Sequence, residues 1–412
     1  MTAHKVVLLV LDGISDRPCD ELGGLTPLKA AKTPVLDRIA TEGVCGIMDV
    51  ISPGIRPGSD TAHLSLLGYP PGDYYTGRGP LEAEGCGISM KPGMIGFRCN
   101  YATIDASGLI SDRRAGRIHD TTALSRAIAT GVDLSKFGVK IAFCSGAGHR
   151  AALALQGDQL GPHVSSNDPK REGVTPALFQ PIGDDPADQK TASVLSEFVR
   201  QSTVILTSHP VNQERISRGL PPANTVLCRG AGIMGKFEPF QEKYGMRGAV
   251  ISAATLITGI GKVVGLVHIP VPGTTGSSDS NIEGKITAAI RALKEYDFVL
   301  VNIKGADEAG HDGLALQKRD FISRIDGAIE PLLDLGDCLL VVCADHSTPC
   351  PIKDHSADPV PLVIRGDGVR VDHVTEFNEY TCAEGGGLHR ITGTSLMPIV
   401  MDLLNLAHKY GA

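Results

Sequence analysis

Tryptophan is absent from the 412 residues, and aromatic side chains make up only 4% of them. Proteins that hold single strands of nucleic acid stack the bases on such rings, so this chain lacks the usual platform. A dense basic block is missing too, and the formal net charge is −7, which argues against a nucleic-acid partner. Arg113, Arg114 and Arg117 form only a short cluster, of a size suited to a small anion. No apolar stretch approaches the roughly 20 residues of a membrane span. The apolar run before Asp12 is six residues long and carries no cleavage site, so no targeting leader is expected. Ten cysteines are scattered without a C-x-x-C pair. Free thiols in a reducing compartment are expected, not disulfides or a zinc knuckle. These exclusions describe a soluble, cytoplasmic protein without nucleic-acid or membrane partners. They leave a homo-oligomer open.

What the chain does contain is 49 glycines and 42% hydrophobic residues, a balance that fits a turn-rich α/β protein. Its length exceeds one ordinary core, so two domains are expected. The run VVLLVLDG, residues 6–13, is short and aliphatic and reads as a buried strand of a parallel sheet. The same signature recurs in FVLVNI before residue 304 and in LLVVCADH at 339–346. Helices are expected at 35–41 behind Pro34, from Asp60 with Ser59 as cap, at about 189–202, and at 281–296 with Asn281 as cap. QKRDFISRIDGAIEPLLDL and TSLMPIVMDLLNLAHKY also read as helices, while 70–85 and 161–190 read as loop. GMIGFRCNYATID, GVKIAFCSG and AALALQG look like short antiparallel strands. The expected class is therefore α/β. A mostly parallel central sheet flanked by helices is formed by 1–85 and 230–412, and a smaller α+β domain is inserted over 86–229.

Three strands end in acids. Asp12 closes the first, Asp307 and His311 follow the second, and Asp345 and His346 close the third, with His355 nine residues beyond His346. Ligands of open α/β sheets lie outside the carboxyl ends of the strands. Carboxylate and imidazole together suit Mn²⁺ or Zn²⁺. Six such ligands are too many for one tetrahedral ion, so two ions are the natural count. Paired ions about 3.5–4 Å apart are a recurrent device of phosphoryl chemistry. Each residue alone has an ordinary explanation as turn former, cap or satisfied histidine; the recurrence after three strands is harder to explain so. Ser59 lies in a Pro/Gly-constrained loop at a helix start, where backbone N–H groups and the helix dipole favour phosphate. A metal can make such a hydroxyl a nucleophile. A plain capping serine is the competing reading, and the residues alone leave it ahead.

Asp12, GSDTAH, DEAGH, ADHSTPC and His355 together resemble the alkaline phosphatase superfamily. LDGISDRP, RPGSDTAHLSLLGY, YYTGRGPLEAEG, FRCNYATI, EYDFVLVNIKGADEAGHDG and KDHSADPVP resemble, more narrowly, the archaeal type of cofactor-independent phosphoglycerate mutase. The likeness runs over nearly the whole chain, is weakest in the middle of the insertion, and departs from the expected pattern at Pro70. It implies an alkaline-phosphatase-like core with an inserted cap domain. It implies Ser59 as the phosphorylated nucleophile, one metal held by Asp12, Ser59, Asp345 and His346, and another held by Asp307, His311 and His355. The ions would be Mn²⁺ or Zn²⁺, with Co²⁺ and Mg²⁺ also compatible, and no 2,3-bisphosphoglycerate would be required.

The implied reaction interconverts 3-phosphoglycerate and 2-phosphoglycerate in glycolysis and gluconeogenesis. It needs cations for carboxylate and phosphate, for which arginine is suited. Candidates are Arg113, Arg114, Arg117, Arg150, Arg229 and Lys236, with His163 as a further contact; Arg78 can equally bridge the domains. His63 and His149 are candidate acid/bases; His63 can instead orient Ser59, as can Asp60. The same core ligands would serve a metal-dependent phosphatase or phosphodiesterase, or a mutase or kinase of another small phosphorylated metabolite. The large insertion favours the mutase over a hydrolase. A non-catalytic metal-binding protein would have no need of an intact Ser59.

Overall fold

The protein is described by a computed structural model covering residues 5–409 and 411. In chain order its strands are β1 (Lys5–Leu11), β2 (Gly43–Asp49), β3 (Ile95–Ile104), β4 (Ile110–Asp112), β5 (Lys140–Ser145), β6 (Arg150–Gln156), β7 (Thr225–Ile233), β8 (Gly248–Ile251), β9 (Val267–His268), β10 (Phe298–Ile303), β11 (Cys338–Cys343), β12 (Val360–Arg365) and β13 (Arg390–Thr392). The chain forms two units. One joins the residues up to Tyr75 with those from Phe237, and the other is Thr76–Lys236. The segments 76–85 and 230–236, assigned to the core by sequence, thus pack with the second unit. Among the described residues no helix is long and apolar enough to cross a membrane.

The first unit is built on an eight-stranded sheet in the order β13-β2-β12-β11-β1-β10-β8-β9. Only β12 runs against its neighbours; the other pairings are parallel. Val6–Leu11 are essentially inaccessible, as are Phe298–Ile303 and Leu339–Cys343. Covered on both faces, such strands need aliphatic residues throughout, which is why the runs read as continuous rather than alternating. Register then sets the site. Leu11 lies opposite Ile303 and Val10 opposite Cys343, so Asp12, Lys304 and Asp345 leave the sheet side by side. The Asp12 N–H still donates to the Ile303 carbonyl at 2.9 Å, holding the strand ends level.

The second unit has a five-stranded antiparallel sheet in which β3 is paired by β4, β6 and β7, and β5 lies beyond β6. Ile95, Phe97, Cys99 and Tyr101 alternate into its core and meet Phe143, Leu195 and Phe198. The helix expected at about 189–202 extends over Pro186–Ser208: Asp185 caps it by accepting from the Ala187 N–H, and Pro210 bars continuation past it. The C-terminal helix is shorter than expected, Leu396–Leu403. Part of the stretch 70–85 read as loop is a helix, Arg78–Gly85. Three of its eight residues are glycine or proline, so propensity alone argues against it. Its packing decides: a Cβ on Gly79 would lie 2.0 Å from the Gly96 carbonyl oxygen, so only glycine lets the helix sit against β3.

Candidate metal centre

The predicted ligands all lie in the first unit, and the fold converges them into two adjoining sets. In one, His346 Nε2 is 3.2 Å from Ser59 Oγ, 3.2 Å from Asp345 Oδ2 and 3.7 Å from Asp12 Oδ1. Asp12, Asp345 and His346 are wholly buried, and Ser59 nearly so. In the other set, His311 Nε2 and His355 Nε2 are 3.2 Å apart, and each is 3.4 Å from Asp307 Oδ1. The His346 and His355 rings stack at 3.6 Å, so the two sets share a wall.

These donor sets fit divalent cations. Ligand atoms bound tetrahedrally at about 2.1 Å stand roughly 3.4 Å apart, the separation found around Asp307. The tautomers agree. His311 Nδ1 donates to the Lys353 carbonyl at 3.1 Å and His355 Nδ1 to the Pro57 carbonyl at 2.9 Å. A carbonyl can only accept, so the protons sit on Nδ1 and two Nε2 lone pairs face one another across 3.2 Å. A cation between them removes that repulsion. In the other set His346 Nδ1 faces Thr348 Oγ1 at 3.0 Å, and Thr348 donates onward to Asp307 Oδ1 at 2.8 Å. Asp345 Oδ2 is buried and, apart from the approach of the His346 and His63 rings at 3.2 and 3.6 Å, has no hydrogen-bond partner among the described residues. A buried carboxylate oxygen left so is costly unless something positive meets it.

The electrostatics are those of crowded acids. Burial, then Asp345 beside it, pushes the Asp12 carboxyl above its ordinary range. Burial also acts against Asp307 and Asp345, but the neighbouring imidazoles and Lys304 hold both below it. His346 is raised because three aspartates outweigh its burial.

Ser59 is the first residue of the Ser59–Leu66 helix rather than its cap; Gly58 takes that position, its N–H donating to Thr61 Oγ1 at 3.2 Å. The Ser59 hydroxyl is thereby left for the metal-side cluster instead of being spent on the helix. His63, one turn on, has no accessible surface and donates Nδ1 to the Ser59 carbonyl at 2.8 Å. It cannot exchange protons with a substrate there, which corrects its reading as a candidate acid/base. Asp60 is occupied too, accepting from the Thr61 N–H and from Tyr75 Oη at 2.7 Å. Gly13 has φ +68°, and a Cβ there would lie 2.7 Å from Asp307 Cα; glycine allows the turn after β1 to touch the Asp307 segment.

Several supporting residues escaped the sequence reading. Asn302 is the one polar residue of β10; its amide donates to Asp12 Oδ2 at 3.0 Å and accepts from Ser252. Buried Lys285 donates to the Asn302 carbonyl, and its burial lowers the ammonium to about 8. Lys304 Nζ lies 2.6 Å from Asp307 Oδ2 and 3.1 Å from Asp12 Oδ1. Lys318, with no exposed surface, bonds Asp16 Oδ2 and the carbonyls of Ser15 and Thr348, lacing the loop after Asp12 to the loop after His346. Polarity inside an apolar strand was a usable signal for Asn302; Lys318 on an amphipathic helix offered none. Lys318→Met is expected to cost about 3–5 kcal/mol by stranding the Asp16 charge. A fall in the denaturant midpoint at unchanged slope would show it, and an unchanged midpoint would refute it.

The predicted substrate residues lie in the second unit. Arg113 grips Asp168 in a two-point pair at 2.8 and 3.0 Å, and Arg229 joins it at 3.0 Å. Burial lowers Arg98 to about 10, with Arg78, Arg229 and Arg150 nearby adding to the effect, and its Nε has no hydrogen-bond partner among the described residues. Half-buried His149 is lowered to about 4 by burial and by Arg150, Arg114 and Arg98. Arg98 and Asp168 are thus part of this cationic group and were not anticipated. Arg114, Arg117, Arg150, His163 and Lys236 are exposed; the His163 backbone N–H donates to Asp188 in the first turn of the Pro186–Ser208 helix.

A mixed α/β sheet carrying two cation-fitting donor sets around a serine hydroxyl defines a metal-dependent protein of the phosphoryl-transfer kind. Comparison with known proteins narrows this. A model of the 2,3-bisphosphoglycerate-independent phosphoglycerate mutase family matches residues 40–212. The 2,3-bisphosphoglycerate-independent phosphoglycerate mutase of Methanoculleus marisnigri is 67% identical over 412 residues, all of both chains. The solved cofactor-independent phosphoglycerate mutase of Thermoplasma acidophilum is 39% identical with a TM-score of 0.71, covering 98% of this chain and all of that one. A solved Pyrococcus horikoshii protein is 34% identical with a TM-score of 0.85, each chain covered fully. The chain belongs to the 2,3-bisphosphoglycerate-independent phosphoglycerate mutase family.

Proposed function

We propose that this chain interconverts 3-phosphoglycerate and 2-phosphoglycerate by way of a phosphorylated Ser59. The observation that carries the reading is the placement of Ser59 Oγ within the first donor set, 3.2 Å from His346 Nε2, in a chain whose full length matches mutases. Two divalent ions, Mn²⁺ or Zn²⁺ with Co²⁺ and Mg²⁺ also compatible, would be held by Asp12, Ser59, Asp345 and His346 and by Asp307, His311 and His355. They supply charge neutralisation and a more acidic serine hydroxyl. The Ser59 oxygen attacks phosphorus, the Oγ–P bond forms, the bond from phosphorus to the glycerate oxygen breaks, and a proton ends on that oxygen. The other glycerate hydroxyl then takes the phosphoryl group back. His63 fixes the Ser59 backbone through its carbonyl. His149, neutral at physiological pH because burial and three arginines disfavour its cation, is the remaining acid/base candidate.

The second unit, in this reading, is a cap on an alkaline-phosphatase-like core. Its arginines, Arg113, Arg114, Arg150 and Arg229 foremost, recognise the anionic ends of phosphoglycerate, and its presence keeps water from the phosphoserine. Arg117, Lys236 and His163 are further members of that set. No 2,3-bisphosphoglycerate is required.

A ³¹P NMR time course on the Mn²⁺-loaded protein with 3-phosphoglycerate tests this. The 2-phosphoglycerate resonance is expected to grow to equilibrium with little free phosphate and without added bisphosphate. Dominant release of inorganic phosphate would replace the mutase by a phosphatase.

A further inference from the structure

Lys304 is the member of the metal centre with no part in the chemistry so far. It follows β10 directly and stands three residues before Asp307, so both side chains leave one turn of the Gly305–Asp312 helix on the same side. Its ammonium bridges the two donor sets, binding Asp12 Oδ1 in one and Asp307 Oδ2 in the other. Its exposure separates it from the aspartates it binds. The Asp12 and Asp345 side chains are wholly covered and that of Asp307 is 6% exposed, whereas Lys304 is 28% exposed. The lysine side chain therefore has an open flank, and its ammonium stands at the inner end of it, between the two donor sets. It is also aimed: Asp307 turns Oδ1 to His311 and His355 and leaves Oδ2 for the lysine.

We propose that Lys304 is a catalytic residue whose ammonium binds a non-bridging oxygen of the transferring phosphoryl group. This rests on the two-ion, Ser59-centred reading above. Three aspartates bring three negative charges and two divalent ions four positive. The centre then carries one net positive charge without Lys304 and two with it, against the roughly two negative charges of a phosphate ester. As the Ser59 Oγ–P bond forms and the bond to the glycerate oxygen breaks, charge stays spread over the equatorial oxygens. A fixed ammonium beside them lowers the barrier without giving up a proton. A lysine serving only to neutralise Asp12 and Asp307 would need no open side.

The test uses full-length protein and separates these roles. Mn²⁺ is titrated calorimetrically into metal-free wild type and Lys304→Met, inorganic phosphate is then titrated into each Mn²⁺-loaded protein, and kcat is measured at saturating Mn²⁺. For Lys304→Met, Mn²⁺ affinity is expected to equal or exceed that of wild type, since a competing cation is gone. Phosphate affinity is expected to fall about tenfold and kcat about 10²–10³-fold. Lys304→Arg should recover part of both. If the methionine variant does not fold, Lys304→Gln, which can still donate to Asp307, carries the same expectations. A neutral variant with wild-type phosphate affinity and kcat within about twofold would overturn the proposal, as would activity fully regained by raising Mn²⁺. A wild type that takes up no Mn²⁺ strikes the two-ion reading itself. A wild type that binds two ions and is matched by its variants strikes only Lys304.

Discussion

Ser59→Ala is expected to lower mutase turnover by about 10⁴-fold or more, the scale seen when a nucleophile acting as part of a unit is removed. The hydroxyl has no substitute nearby. The side chains around it are carboxylates and imidazoles already committed to one another: Asp12 to Asn302 and Lys304, His63 to the Ser59 carbonyl, His346 Nδ1 to Thr348. Asp60, the adjacent acid, is bound to the Thr61 N–H and Tyr75. The fold should survive, because Ser59 caps nothing and the cap position of its helix is held by Gly58. Circular dichroism and thermal melting should therefore match wild type, while Mn²⁺ affinity falls moderately with the loss of one donor. Acid quenching of the wild type during turnover should trap phosphate on the peptide containing Ser59, and the alanine variant should trap none. Substantial turnover in a folded, metal-loaded alanine variant would remove Ser59 as the nucleophile.

Removing divalent ions is expected to abolish turnover altogether, with Mn²⁺ restoring it. The reason lies in the charge of the centre. Without ions, Asp12, Asp307 and Asp345 crowd together with Lys304 as the nearest ammonium. A phosphate ester approaching such a group meets net repulsion, and nothing acidifies the Ser59 hydroxyl. The metal-free fold should nevertheless persist, since Lys304 spans Asp12 and Asp307 and Lys318 laces the two ligand loops together. Stability should rise on loading. An ion present at 100 times its dissociation constant adds about 2.7 kcal/mol, so the melting temperature should depend on metal concentration. The check is dialysis against a chelator, elemental analysis, and assay before and after Mn²⁺ return. Activity in protein shown to be metal-free would end the two-ion model, and a melting temperature indifferent to Mn²⁺ would argue against the donor sets as binding sites.

The ligands were legible in the chain because their signal is local. An aliphatic run that ends in Asp, with His one turn or one residue further, marks a buried strand and its functional end without reference to any other part of the molecule. Asp12, Asp307 with His311, and Asp345 with His346 all carry that mark. His355 and Ser59 lie in Pro/Gly loops with weaker marks, and for them family resemblance did more than the residues themselves. The parallel core was legible for the same reason. Less so were the edges of the second unit, because Arg78–Gly85 has a loop's composition and is helical only through its contact with β3.

Which donors stand together was beyond the residues alone, because Asp12 and Asp345 are 333 positions apart and meet through the pairing of β1 with β11. Local pattern states that a strand ends in an acid; it does not state which strand lies beside it or at what register. The same holds for the lysines. Lys304 and Lys318 carry no local mark of their role, yet one bridges two donor sets and the other is sealed inside. A buried ammonium is stable only where several oxygens from distant segments converge on it, and that convergence exists only once the chain has folded. The sequence by itself thus determined the chemistry available to this protein, its acids, imidazoles and one poised serine. The tertiary structure alone decided their grouping and the cations that hold them, since both depend on contacts between residues hundreds of positions apart.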